Sequence, residues 1–473
     1  MGQIDYNKLG LKVGIEIHRQ LETNKLFCKC HSILQDKEPD INIERSLRAV
    51  ISEKGERDIV AEYEMAKRRY AVYEAYSDST CLVELDESPP ENINKHALHI
   101  VLEVALLLKC NIVDSVQVMR KQVLDFSNTS GFQRTALVAY DGLVKDVRIQ
   151  TICLEEDAAR KIKEVKDYVV YRLDRLGIPL IEISTYPDIN SPQKAKEIAE
   201  YLGMILKSTG KVKSGIGTIR QDLNVSIKGG ARVEIKGVQE LNLIPKIISL
   251  EAERQLNLVN QGLKVSPEVR NANLDGTTSF LRPMPGASRM YPETDIPPIK
   301  ITKNMLAMIK LPELIMEKVI NLRKKYSINQ DIARQLVKEN KLELFNKLLR
   351  FNVDPSLIAN TLILTVKDIK SRHNLNVNKL KDSDFEFIFK NLSERKISKN
   401  AIENILIDII KGEKIELSKY KELSDEELEK EIKKIIEQNK NANIGALMGI
   451  IMAKYRGRVE GKKVMDILKK LLQ

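Results

Sequence analysis

No apolar run in this 473-residue chain reaches the roughly 20 residues that span a bilayer. MGQIDYNKLG also lacks the apolar core of a secretory signal, so a cytosolic protein with no membrane partner is expected. Met-Gly opens the myristoylation pattern, but Asn7 stands where that pattern wants Ser or Thr. The five cysteines (Cys28, Cys30, Cys81, Cys110 and Cys153) are odd in number and irregularly spaced, which argues against a disulfide framework. Several enzyme signatures are missing too: no G-x-x-x-x-G-K-[ST] loop, no G-x-S-x-G elbow and no H-E-x-x-H helix. ATP, if used, is therefore not held by a Walker loop. Nor is there a Cys-His or Ser-Lys arrangement that would release ammonia from an amide.

What is present is charge and helix. The net charge of +11 favours a polyanionic partner, although a Lys-rich proteome explains it equally well. The character of the chain changes near Lys300. Before it lie alternating strand-like runs and most of the glycines and prolines; after it come amphipathic helical patterns rich in Lys, Glu, Leu and Ile. Ser191-Pro192 supplies a cap and a first-turn proline for a helix that stops near Gly210. KHALHIVLEVALLLK, apolar nearly all round, predicts a buried helix. Ser424 and Glu427 have capping-box spacing ahead of a terminal helical unit.

In LKVGIEIHRQL, Val13, Ile15 and Ile17 alternate with Gly14, Glu16 and His18, so a strand puts Glu16 and His18 on one face. TIRQDLNVSI does the same for Arg220, Asp222 and Asn224, GARVEIKG for Arg232, Glu234 and Lys236, and PLIEIST for Glu182. A half-exposed sheet always has a polar face, and any one such strand needs no function. Several together, mixing carboxylates with cations, resemble how phosphate and metal chemistry is arranged. Histidine among carboxylates suits a hard cation, magnesium first and manganese second. Cys28, Cys30, His31 and Cys81 supply four donors, but only one tight cysteine pair is present; reduced thiols are preferred and zinc is not expected.

The segments VGIEIHRQL, LFCKC, LEEDAARK, RLGIPLIEISTYPDINS, IGTIRQDLNVSI, VEIKG and YPETDIPP together resemble the B/E family of tRNA-dependent amidotransferase subunits. CLVELDESPP, VMRKQVLDFSNTSGFQRT and LRPMPGASRMYPETDIPP look like its archaeal E branch, and NIGALMGIIMAKYRGRVEGKKVMDILKKLL like its tRNA-contacting tail. One departure stands out. The E branch commonly carries an insertion similar to a domain of bacterial aspartyl-tRNA synthetases, whereas here Gln261-Gly262 leads through KVSPEVRNANLDGTTSF straight into LRPMPGASRMYPE. The insertion is absent, which leaves the tail to hold more of the tRNA.

The fold implied is α+β: a largely antiparallel β-sheet cradle with helices over 1–299, an all-α helical domain over 300–412, and a small α-helical tail over 413–473. The reaction implied is phosphorylation of the side-chain carboxylate of glutamyl-tRNA(Gln) by magnesium-ATP, followed by displacement of phosphate by ammonia. The ammonia would come from an asparaginase-like partner of the family's D type, in a heterotetramer with two copies of each chain. Matched by motif, His18, Glu156 and Glu182 are the implied metal ligands, with Glu16 a further candidate. Glu155 and Asp157 compete for the LEED role. Arg220, Asp222 and Lys236 are implied contacts for ATP or the activated intermediate, with internal salt-bridging as their other reading; Arg134 is an implied anion contact. Lys454, Arg456, Arg458 and Lys462 surround two glycines at a helix–helix turn and are implied tRNA contacts. Two alternatives stay open on sequence: a tRNA-binding assembly subunit without chemistry, and a B-type chain paired with an amidase.

Overall fold

A computed structural model describes residues 5–46, 70–123, 125–284, 290–439, 442–455 and 458–472. The chain forms two compact units, Met1–Pro312 and Glu313–Gln473.

The alternation in LKVGIEIHRQL becomes β1 (Lys12–Gln20), a central strand of an eleven-stranded sheet. Across that sheet the order is β15 (Thr278–Pro283), β14 (Glu268–Ala272), β13 (Val233–Lys236), β12 (Ile219–Ser226), β1, β11 (Pro179–Thr185), β8 (Val147–Glu156), β7 (Phe132–Val144), β6 (Val118–Gln122) and β16 (Met290–Pro292). β4 (Asn111–Ile112) pairs with β7. Neighbours are antiparallel except β13 and β14. A second sheet contains β2 (Ile41–Ser46), β3 (Tyr70–Ala75), β10 (Tyr168–Arg172) and β9 (Arg160–Glu164), and a small ladder joins β5 (Ser115–Val116) to β17 (Ile299–Lys300). The helix ending at Asn260 is followed by β14 from Glu268, and a short turn then leads into β15, so no inserted domain interrupts this stretch.

Helices close one face of the main sheet. Lys95–Leu107 packs on β7 and β8, Pro192–Ser208 on β1, and Ile244–Asn260 on β12. Against them lie Val13, Ile15 and Ile17, all essentially buried, each worth roughly 1.5–3 kcal/mol of apolar burial. The caps expected from sequence are in place. Ser191 accepts from the Lys194 N–H with Pro192 in the first turn, and Gly210 follows with φ of +66°. Asn94 caps the Lys95–Leu107 helix through the His96 and Ala97 N–H groups. With its apolar side occupied, the sheet presents its polar side outward.

The second unit is helical, from Ile315–Tyr326 onward. The predicted capping box starts the Asp425–Gln438 helix: the Glu427 N–H donates to Ser424 Oγ (3.2 Å) and the Ser424 N–H to Glu427 Oε2 (3.0 Å). Leu428, Ile432, Leu447, Ile451, Val464 and Leu468 then form the core of a three-helix tail with Ile444–Lys454 and Gly461–Leu471.

Candidate functional site

Register carries sequence-distant groups onto the face of Glu16 and His18. On β1, His18 sits opposite Glu182 of β11 on one side and Arg220 of β12 on the other, while Glu16 sits opposite Ser184 and Asp222. His18 Nε2 lies 3.2 Å from Glu16 Oε1, 3.4 Å from Glu182 Oε2 and 3.6 Å from Glu155 Oε1. Burial opposes charge on His18, but hydrogen bonds to Glu16 and Glu182 outweigh it and raise the imidazole well above its usual range. Burial and the neighbouring Glu182 push Glu155 up to about 7. Glu182 is held low: burial would raise it, but His18 and Lys121 outweigh that.

The structure divides the LEED segment between two faces. Ile152 and Leu154 are buried on the helix side, so Cys153 and Glu155 share the open side with Glu182. Glu156, expected among the ligands, points the other way. Its Oε1 accepts the Arg134 N–H (2.9 Å) and lies 3.6 Å from the guanidinium. Arg134, expected as an anion contact, is 5% exposed, stacked against Phe27 and Phe132, and bonded to Glu293 (2.9 Å). Glu156 and Arg134 thus neutralise one another inside the fold. The same period-two reading that places His18 also places Glu155, because ICLE alternates around it.

Two members of the site have no strong sequence signal. Lys121 of β6 brings its ammonium to 4.0 Å from Glu155 and 3.9 Å from Glu182, and those carboxylates raise it above the usual lysine range. Cys153 lies across from Glu182 of β11; burial and the carboxylates push its thiol well above its usual range, which keeps it neutral and a poor partner for a hard cation.

The predicted cations lie across the same cavity of about 330 Å³, whose lining includes Glu16, His18, Lys121, Glu155, Arg220 and Lys236. Lys236 Nζ is 3.3 Å from Asp222 and 2.7 Å from Glu234; burial opposes its charge, and the two carboxylates restore it. Asp222 also accepts the Gly237 N–H (3.0 Å), which fixes the end of β13. Arg220 is held from behind by Asp157, which is fully buried and accepts from Arg220 (2.7 Å) and Gln20 (2.8 Å). Burial raises the Asp157 carboxyl, yet Arg220 and Arg175 more than offset it and hold it below its usual range. Three buried polar atoms of the lining have no hydrogen-bond partner: Glu155 Oε2, Asn128 Nδ2 and Arg282 Nε. An unpartnered carboxylate oxygen in the same lining as two unpartnered donors is what a cation-bound anionic ligand would satisfy. The oxygen-rich set of Glu16, Glu155 and Glu182 with His18 fits a hard divalent cation.

A second cluster gathers Cys28, Cys30, Cys81 and Glu84. Its fourth donor is Glu84, not the exposed His31. Cys28 Sγ donates to Glu84 Oε1 (2.8 Å), and the fully buried Lys25 pairs with the same oxygen at 3.1 Å. Burial and Glu84 push the Cys81 thiol up to about 11. Glu84 is thus already the counter-charge of a buried lysine. In the tail, Lys454 lies near Glu431 (3.6 Å), Arg458 donates to the Lys421 carbonyl (3.1 Å), and Lys462 is exposed at the start of the last helix. Arg456 lies outside the described residues.

Residues 11–307 match the family model described as the GatB/GatE catalytic domain, and residues 343–472 the one described as the GatB domain. The E subunit of the glutamyl-tRNA(Gln) amidotransferase of Methanocaldococcus jannaschii is 40% identical, with all of both chains aligned. Its counterpart in Methanococcus maripaludis is 37% identical over 99% of each chain. The one in Saccharolobus solfataricus is 36% identical over 100% of this chain and 99% of the relative. The first alignment runs over 632 positions, more than the 473 residues here, so that relative carries residues without a counterpart, as an absent insertion requires.

Proposed function

This chain belongs to the GatB/GatE family of tRNA-dependent amidotransferase subunits, and from that premise we propose that it activates and amidates the glutamate of glutamyl-tRNA(Gln). The observation that carries the reading is the convergence of His18, Glu16, Glu155 and Glu182 with Lys121, Arg220 and Lys236 around one cavity. An RNA-docking surface alone has no use for three carboxylates around a histidine.

Glu16, His18 and Glu182, whose ligand atoms lie within 4.8 Å of one another, would hold magnesium, with Glu155 beside them and manganese as a substitute. A divalent ion bound there would supply positive charge to offset that on the phosphoryl group of ATP. The substrate carboxylate attacks the terminal phosphorus, the bond to ADP breaks, and an acyl phosphate forms. Ammonia then attacks the acyl carbon, phosphate leaves, and the surplus proton is lost. Arg220 and Lys236 face the transferring oxygens as fixed cations. Asp157 positions Arg220, and Asp222 positions Lys236. Lys121, paired to two carboxylates, meets the phosphoryl oxygens from the opposite wall. Ammonia comes from an asparaginase-like partner of the D type, in a two-plus-two assembly. The tail holds tRNA through Lys454, Arg458 and Lys462, with Arg456 beside them in sequence.

The test supplies the purified chain with ammonium chloride, ATP, magnesium and each charged tRNA in turn. Glutaminyl-tRNA is expected from glutamyl-tRNA(Gln) alone; absence of both acyl phosphate and amide from the folded chain would sink the proposal.

The two faces of LEED give a sharper comparison. Glu155→Gln should lower acyl-phosphate formation by about 100-fold with near-normal stability. Glu156→Gln should cost about 2 kcal/mol of stability and leave the single-turnover rate close to normal. Equal rate losses in the two variants would overturn the assignment.

A further inference from the structure

Away from that cavity, beside the N-terminus of the Lys95–Leu107 helix, lies a second hollow of about 490 Å³. Its walls come from the segment after β1 (Glu22, Thr23), from His31 and Ser32, and from Asn94 and His96 at the helix start. Ser32 is 4% exposed, and its buried hydroxyl has no hydrogen-bond partner. Behind it stand two cations without paired carboxylates. Lys213 Nζ donates to the Ser32 carbonyl, and Arg19 donates to the Lys213 carbonyl while its buried Nε makes no bond. Neither side chain forms an ion pair among the described residues. Burial lowers Lys213 from its usual range, as expected for a cation taken from water. Glu22, on the exposed rim, is the one acid in the lining and only partly offsets the fall at Lys213.

A helix N-terminus adds partial positive charge and favours anions. Two cations that form no ion pair among the described residues stand behind an unused hydroxyl of the lining, and together they are short of one acceptor-rich anion. We propose that this hollow binds a phosphate group, contacted by the Ser32 hydroxyl and drawn by Lys213 and Arg19. The phosphate belongs either to an RNA backbone or to a small free ligand. The site goes beyond the amidation reading, because it shares no residue with the carboxylate cluster and its occupancy is read without turnover.

The experiment titrates the full chain with inorganic phosphate and with uncharged tRNA, following heat or phosphorus resonance. Ser32→Ala, Lys213→Met and a charge-matched control, Lys29→Met, are compared with the parent. Lys213→Met should weaken phosphate binding about tenfold or more, and Ser32→Ala about threefold; Lys29→Met should leave it unchanged. If both variants also weaken tRNA binding, and phosphate competes with tRNA, the group is an RNA backbone phosphate. If tRNA affinity is untouched while phosphate affinity falls, the ligand is small and free. The proposal is overturned if the folded parent binds no phosphate, or if the Ser32 and Lys213 variants bind it as the parent does. Ser32→Ala retains the carbonyl that Lys213 uses, so it reads the site even if the lysine variant folds poorly.

Discussion

On the proposed assignment, Glu182→Gln should reduce ATP-dependent phosphorylation of glutamyl-tRNA(Gln) by about 10³-fold or more, since losing one charged ligand of the proposed ion removes several kcal/mol of transition-state stabilisation. The substitution keeps size and hydrogen-bonding reach but removes the charge that faces His18 at 3.4 Å and Lys121 at 3.9 Å. Affinity for tRNA should be nearly unchanged, because a carboxylate contributes nothing attractive to a phosphate backbone. Single-turnover trapping of acyl phosphate, alongside a filter-binding titration with tRNA, separates the two effects. A normal phosphorylation rate would remove Glu182 from the metal set. A parallel collapse of tRNA affinity would make the loss structural.

Glu293→Gln should be the most destabilising single change outside the apolar core, by about 3 kcal/mol. The Glu293 side chain is wholly buried and serves two guanidiniums: Arg120 at 2.9 and 2.5 Å, and Arg134 at 2.9 Å. The neutral amide leaves Arg134, which is 5% exposed, with Glu156 at 3.6 Å as its remaining counter-charge, while Arg120 reaches some water. The pH dependence follows from the same contacts. Burial raises the Glu293 carboxyl, but the arginines and the Asp295 N–H outweigh it, so its folded-state value is depressed. Its contribution is therefore complete above the unfolded value of about 4.3 and fades as pH falls through the lower folded value. The parent should lose more stability than Glu293→Gln between about pH 5 and pH 3. Urea midpoints at both pH values measure this, and identical pH slopes for the two proteins would exclude it.

These residues also show what a sequence can disclose. Period-two alternation is enough to put Glu16 with His18 and Arg220 with Asp222, because those strands bury one face and only Gln221 interrupts the apolar set. The helix caps at Ser191 and Ser424 are legible for a local reason: each needs only a few consecutive residues. Glu155 is legible in principle, through Ile152 and Leu154, but the family motif points to its neighbour. Arg134 and Glu293 are not. Nothing local says that a charged residue in a conspicuous motif will be spent on an internal partner 159 residues away in the chain. Lys121 is hidden because MRKQV has no clear apolar phase, and its role depends on β6 lying beyond β7 and β8 from β1. Ser32 reads as an ordinary loop serine, and only the lack of any partner for its buried hydroxyl sets it apart.

The open face of the sheet has one more consequence, for the order in which the protein is made. His18 leaves the ribosome early, Lys121 and Glu155 much later, Glu182 later still, and Lys236 only after most of the first unit. No fragment ending before Glu182 can assemble the cage, and strands that pair out of register put its carboxylates on the wrong side. If the proposed site holds a divalent ion, its capture would therefore report that synthesis has passed β11 and that the strands flanking β1 have found their neighbours.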